Sequence, residues 1–135
     1  VRITVDANLL LRLVLQDDLE QADLAATELN KAEVAIIPIV ALCEFVWVLR
    51  RRYGFERAEI AAKLIDLSVI ATVQCDRPAL QAGLDLMAIG GDFADGVIAH
   101  LGEREGAQTF VTFDRDAVRR LKALNRSVRL VGSST

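Results

Sequence analysis

Short β-branched runs alternate with stretches of helical periodicity along this whole chain, and that alternation limits its fold more than any other feature. The spacing predicts strands at Ile3–Asp6, Val34–Ile37, Thr72–Cys75, Thr109–Thr112 and Ser127–Val131. Helical patterns fall between them, at Ala7–Leu15, from Asp17-Asp18 onward, around Ile39–Leu49, and over Arg57–Ile70, Pro78–Ala88, Phe93–Glu105 and Arg115–Leu124. Strands that are each followed by a helix imply a mainly parallel sheet covered on both faces. The expected fold class is therefore α/β, a three-layer α/β/α sandwich with a mainly parallel central sheet. No repeat, composition break or linker interrupts the pattern, so one domain over residues 1–135 is expected, ending in a Gly/Ser tail. In such sheets, sites form beyond the carboxyl ends of the strands. Asp6 and Asp114 fall there.

Composition narrows the class of function. Hydrophobic residues make up 53% and charged residues 26%, which suits a packed core rather than a disordered chain. Cys43 and Cys75 lack metal-type spacing and read as small core residues of a reducing compartment. With a single histidine, a structural zinc site is not expected. The amino-terminal segment is broken early by Asp6 and has no signal-like cleavage site. The longest apolar run, Val34–Leu49, is too short to span a bilayer. A cytoplasmic location without membrane partners is expected. The net charge of −3 argues against nucleic-acid binding through the overall field, but leaves room for a local basic surface or a cation-masked acidic site.

The chemistry rests on carboxylates. Ile39–Leu49 reads IVALCEFVWVL and is apolar all round except at Glu44, which suggests a buried helix carrying a buried acid. A buried carboxylate needs an arginine, a shared proton or a metal ion. Asp6, Asp92 and Asp114 each precede a helix and are also explained as helix N-caps. Asp95 is three residues beyond Asp92, on the same side of its helix, where two like charges beside a core repel unless a cation lies between them. Asp116 reads as a surface acid. A hard divalent cation, Mg²⁺ or Mn²⁺, would satisfy Asp6, Glu44, Asp92, Asp95 and Asp114 together.

These motifs resemble the PIN-domain family, most closely the VapC-type toxins of toxin–antitoxin pairs. Val5-Asp6-Ala7-Asn8 stands where the family has a strand ending in Asp-Thr-Asn. Leu42-Cys43-Glu44-Phe45 stands for its acid within an apolar helix. Phe93-Ala94-Asp95-Gly96-Val97-Ile98-Ala99 and Thr112-Phe113-Asp114-Arg115-Asp116 complete the order. The resemblance implies a Mg²⁺/Mn²⁺-dependent endoribonuclease leaving 3′-hydroxyl and 5′-phosphate ends. Asp6, Glu44, Asp95 and Asp114 would be catalytic and hold the metal, Asp92 would contribute, and Asn8 and Thr112 would form a supporting polar shell. It also implies a homodimer, a cognate antitoxin and inhibition of translation by RNA cleavage. The chain departs from the family at Ala7, which replaces a threonine hydroxyl, and at Gly96, where alanine is more usual and glycine weakens a helix.

Cations for RNA are sought at Arg115, Arg119, Lys122 and Arg126, which recur at helical spacing after Asp114. A solvated helix face explains the same pattern. Arg50–Arg52 and Arg12 are further candidates. His100 lies on a different helical face from Asp95 and reads as structural, and no Ser, Cys or His pairing suggests a covalent mechanism. Two other readings compete. One is a non-catalytic PIN-like interaction module, favoured by Ala7 and the three cap positions. The other is a phosphoaspartate receiver, which would need an adjacent acidic pair where the chain has a lone Asp6.

Overall fold

A computed structural model describes residues 1–133; Ser134 and Thr135 of the expected tail lie outside the described residues. The chain divides into two compact units, Val1–Asp76 and Arg77–Thr135. Among the described residues all strand pairings are parallel, in two ladders, and seven helices follow the alternation read from the sequence.

The first unit contains β1 (Arg2–Thr4), α1 (Ala7–Leu15), α2 (Leu19–Lys31), β2 (Val34–Ile36), α3 (Ile39–Arg51), α4 (Arg57–Ser68) and β3 (Val73–Gln74). Its strands lie in the order β1-β2-β3, with Ile3 opposite Ala35 and Ala35 opposite Val73. Leu10, Leu29, Ile37, Leu42, Phe45, Leu49, Ile60 and Leu64 are fully buried here. Thr72 ties the edge to α2 by donating its hydroxyl to Leu29 O at 2.6 Å. Gly54 takes φ +66, the left-handed turn expected after α3, and Phe55 N–H then reaches Leu49 O at 3.0 Å.

One reading of this unit is corrected. The helix that looked apolar on every face is buried on only part of its surface. Ala41, Leu42, Phe45, Val46 and Leu49 face inward, whereas Val40, Glu44, Trp47 and Arg51, spaced along one stripe, are exposed. An all-apolar sequence does not force an all-buried helix when one stripe has no neighbour. Arg12, one of the candidate cations for RNA, pairs with Asp17 at 3.6 Å. Cys43 and Cys75 form no disulfide among the described residues and are half-buried rather than buried core groups.

The second unit contains α5 (Arg77–Ala88), α6 (Phe93–Arg104), β4 (Phe110–Thr112), α7 (Arg115–Ala123) and β5 (Val128–Leu130). β4 and β5 pair in parallel with Val111 opposite Arg129. Its core gathers Leu86, Ala99, Leu121 and Val128, with Phe110, Val118 and Leu124 packed against them. Two glycines let α5 and α6 approach closely. A Cβ on Gly96 would stand 2.5 Å from Ala82 O, and one on Gly83 would stand 2.5 Å from the Phe93 ring. Gly96 therefore does more than weaken a helix, because alanine has no room there. No described helix is long and apolar enough to cross a membrane.

Candidate metal and nucleic-acid site

Three aspartates of the second unit share one electrostatic neighbourhood. Asp92 is the N-cap of α6, and its Oδ1 accepts from Ala94 N at 2.7 Å. Asp114 is the N-cap of α7, and its Oδ1 accepts from Asp116 N at 2.9 Å and Ala117 N at 3.1 Å. Both cap readings hold, but neither exhausts the side chain. No hydrogen bond engages the second carboxylate oxygen of either residue among the described residues, so capping leaves an oxygen for a ligand. Thr112 supports the arrangement, since its hydroxyl oxygen accepts from Asp114 N at 3.0 Å.

Asp95 differs from these caps. It lies in the first turn of α6, half-buried, with no hydrogen bond or ion pair among the described residues. Burial raises its pKa above the ordinary carboxylate value, and the charges of Asp92 and then Asp114 push it further in the same direction. The positive end of the α6 dipole opposes that rise without cancelling it. The site thus holds a carboxylate whose ionised form is disfavoured by its surroundings. A cation would relieve all three causes at once.

The donor set suits a hard ion, since it is carboxylate oxygen throughout. Among the described residues, no group of three or more His, Cys, Asp or Glu side chains closes to metal-holding geometry.

The other sequence-derived residues fall as follows. Asp6 belongs to the first unit and caps α1, accepting from Leu9 N at 3.0 Å through Oδ1 only. Glu44 is on the exposed stripe of α3, and Asn8 is exposed on α1. Ala7, in place of the hydroxyl residue, is buried. Of the basic stripe, Arg115 and Lys122 are exposed, Arg119 pairs with Asp116 at 3.0 Å, and Arg126 pairs with Glu103 at 2.9 Å. His100 is half-buried, and its Nε2 has no hydrogen-bond partner among the described residues.

Sequence reading missed Arg120. Gly90 turns with φ +92 just before Asp92, and a Cβ there would meet the Arg120 guanidinium at 3.5 Å. Arg120 thus brings a cation to the turn that leads into the aspartates. Its neighbours in the helical stripe looked stronger because they recur at regular spacing; Arg120 is off that stripe, and only folding of the Gly90-Gly91 turn reveals it.

Two helix-capping aspartates beside a half-buried acid form an acidic cluster on a parallel α/β framework. The PIN domain family model matches residues 3–124, and the chain belongs to the PIN-domain family. PIN domains are commonly nucleases, which supports a hydrolase acting on nucleic acid. Comparison with curated proteins gives no significant match.

Proposed function

We propose that this chain is a Mg²⁺- or Mn²⁺-dependent endoribonuclease, and that it serves as the toxin of a toxin–antitoxin pair. The observation that carries the nuclease reading is Asp95, a half-buried acid whose ionised form is disfavoured by burial, Asp92 and Asp114. Such displacement clusters where charge chemistry is done. Asp95, Asp92 and Asp114 would hold the ion, and Asp6 and Glu44, carried over from the resemblance, would be further metal ligands. Asn8 and Thr112 would orient the acids.

A divalent ion bound there supplies an acidified water and neutralises charge at phosphorus. The protein's own share is positioning. Capping fixes Asp92 and Asp114 through one oxygen each, which aims the other. Thr112 locks the backbone at Asp114. Arg120 offers a charge-assisted hydrogen bond to a phosphate oxygen, and Arg115 and Lys122 offer longer-range attraction that offsets an acidic site. Arg119 is less available, since Asp116 already pairs with it.

The test is cleavage of total RNA by purified protein with Mg²⁺ or Mn²⁺, with ends mapped. Cleavage that requires the ion and disappears in Asp95→Asn supports the reading. Equal cleavage in EDTA, or an unaffected Asp95→Asn, sinks it. The toxin role adds growth arrest on expression, relieved by a co-expressed antitoxin and not seen with Asp95→Asn. A homodimer would appear in light scattering.

A second reading, a non-catalytic interaction module, draws on the exposed stripe of α3, where Val40 is 74% and Trp47 54% exposed around Glu44. It predicts no Mn²⁺ binding by calorimetry and a protein partner lost on Trp47→Ala.

A further inference from the structure

Phe113 is 82% exposed, against 54% for Trp47 and 50% for Tyr53. Isolated surface apolar residues are ordinary and need no explanation. Phe113 is set apart by its position and by the way its backbone is held. It stands between Thr112 and Asp114, both engaged in fixed contacts. Thr112 O accepts from Val131 N at 2.8 Å, which ties the end of β4 to the chain beyond β5. Thr112 Oγ1 accepts from Asp114 N at 3.0 Å, spanning Phe113, and Asp114 Oδ1 caps α7. The ring is therefore presented from a pinned turn rather than from a loose loop. Val111, two residues earlier, and Val131 are also exposed, at 45% and 39%, so the apolar surface extends back along the same end of the ladder.

We propose that Phe113 is a stacking platform for one unpaired nucleobase of the nucleic-acid substrate, adjacent to the phosphate addressed by Asp114. This rests on the nuclease reading. The chemistry follows from what surrounds the ring. An aromatic face accepts any base, because every base has a π-face, while the neighbouring acids and a cation engage the backbone. A base already paired within a duplex is stacked on its neighbours and must be extruded before it can use this face. Phe113 thus makes the site select single-stranded or looped substrate, and it sets where along the strand the reacting phosphate sits. A pinned turn loses little freedom on binding, so more of the stacking energy appears as affinity.

The experiment measures binding of a fluorescent oligoadenylate to the full chain in Ca²⁺, with intact RNA verified on a gel, and cleavage of the same RNA in Mn²⁺. Phe113→Ala is expected to weaken binding roughly 10-fold, in the range of one lost base stack. Phe113→Leu, which keeps an apolar side chain but no π-face, should lose nearly as much. Phe113→Trp should restore affinity and show quenched indole fluorescence on binding. A blunt duplex of the same length should bind the wild type and Phe113→Ala alike. Equal single-strand affinity for wild type and Phe113→Ala overturns the proposal, as does full rescue by leucine. A change confined to oligomeric state in light scattering also overturns it, because the face then belongs to a second copy of the chain. Phe113-dependent binding without any cleavage would leave the platform standing and remove the nuclease reading. Cleavage that is indifferent to Phe113 would do the reverse.

Discussion

Glu44 on α3 and Asp95 on α6 are both acids set in apolar helical sequence, yet they have opposite surroundings. Glu44 is exposed on a stripe with Val40 and Trp47, although its helix reads IVALCEFVWVL. Asp95 is half-buried, lacks a hydrogen-bond partner among the described residues, and is pushed toward its neutral form by burial and by two neighbouring aspartates. The difference shows that the hydropathy of flanking residues is a poor guide to whether a charge is desolvated. What matters is which elements pack against that stripe. α6 has α5 closely against it, made possible by Gly83 and Gly96, whereas the outer stripe of α3 faces solvent.

The sharpest way to break this comparison is to exchange the two acids' importance. Asp95→Asn is expected to lower cleavage by about 10³-fold, in the upper range for losing one preorganised charged group. Glu44→Gln is expected to cost less, on the order of 10-fold, because water competes for an exposed carboxylate. Single-turnover rates in Mn²⁺ measure both. A larger loss at Glu44 would return the leading role to the residue favoured by sequence.

Next in size is packing. Gly96→Ala should destabilise the protein by about 1–3 kcal/mol, the usual cost of overpacking, since its Cβ would meet Ala82 O at 2.5 Å. Denaturant unfolding with an unchanged m-value would report it. A neutral result would mean that α5 and α6 shift apart freely, and the burial of Asp95 would then lose its stated cause.

Arg120→Ala should raise KM for RNA roughly 10-fold with a smaller change in kcat, in line with loss of one charge-assisted contact. Arg119→Ala, whose partner is Asp116, should change KM less. Equal effects would show that the stripe acts as a diffuse field rather than through the Gly90 turn.

The smallest expected effect is on stability against pH. A carboxylate whose folded pKa is raised binds its proton more tightly when folded. Its contribution therefore declines as pH rises from the ordinary carboxylate range through the raised value, and stays low above it. In EDTA, Asp95→Asn should melt higher than wild type at neutral pH, and the gap should close as pH falls below the ordinary carboxylate range. Mn²⁺ should raise the wild-type Tm and raise that of Asp95→Asn less. A gap independent of pH would show that Asp95 is not the strained group.

The capping roles of the candidate acids were legible because helix caps are local. An Asp placed just before a periodic segment both ends a strand and satisfies the first amides of a helix, so Asp6, Asp92 and Asp114 were placed by sequence neighbours alone. Thr112 was placed similarly, as its bond to Asp114 N spans two residues. That a carboxylate cap has a second oxygen to offer was also implicit in the residue type. Arg120 and Phe113 were not legible. One depends on where the Gly90 turn folds, and the other on a ring left uncovered at the end of a ladder.

The sequence by itself determined the alternation of strands and helices, the parallel pairing it requires, the order of the acids and the family to which the chain belongs. Those follow from local periodicity, capping and motif spacing, which act over a few residues. Only the tertiary structure decided which acid is desolvated, which glycines sit too close to their neighbours for a side chain, and which cation approaches the Gly90 turn. Burial and Coulomb interactions depend on distances between segments far apart in the chain, and no pattern within a single helix records them.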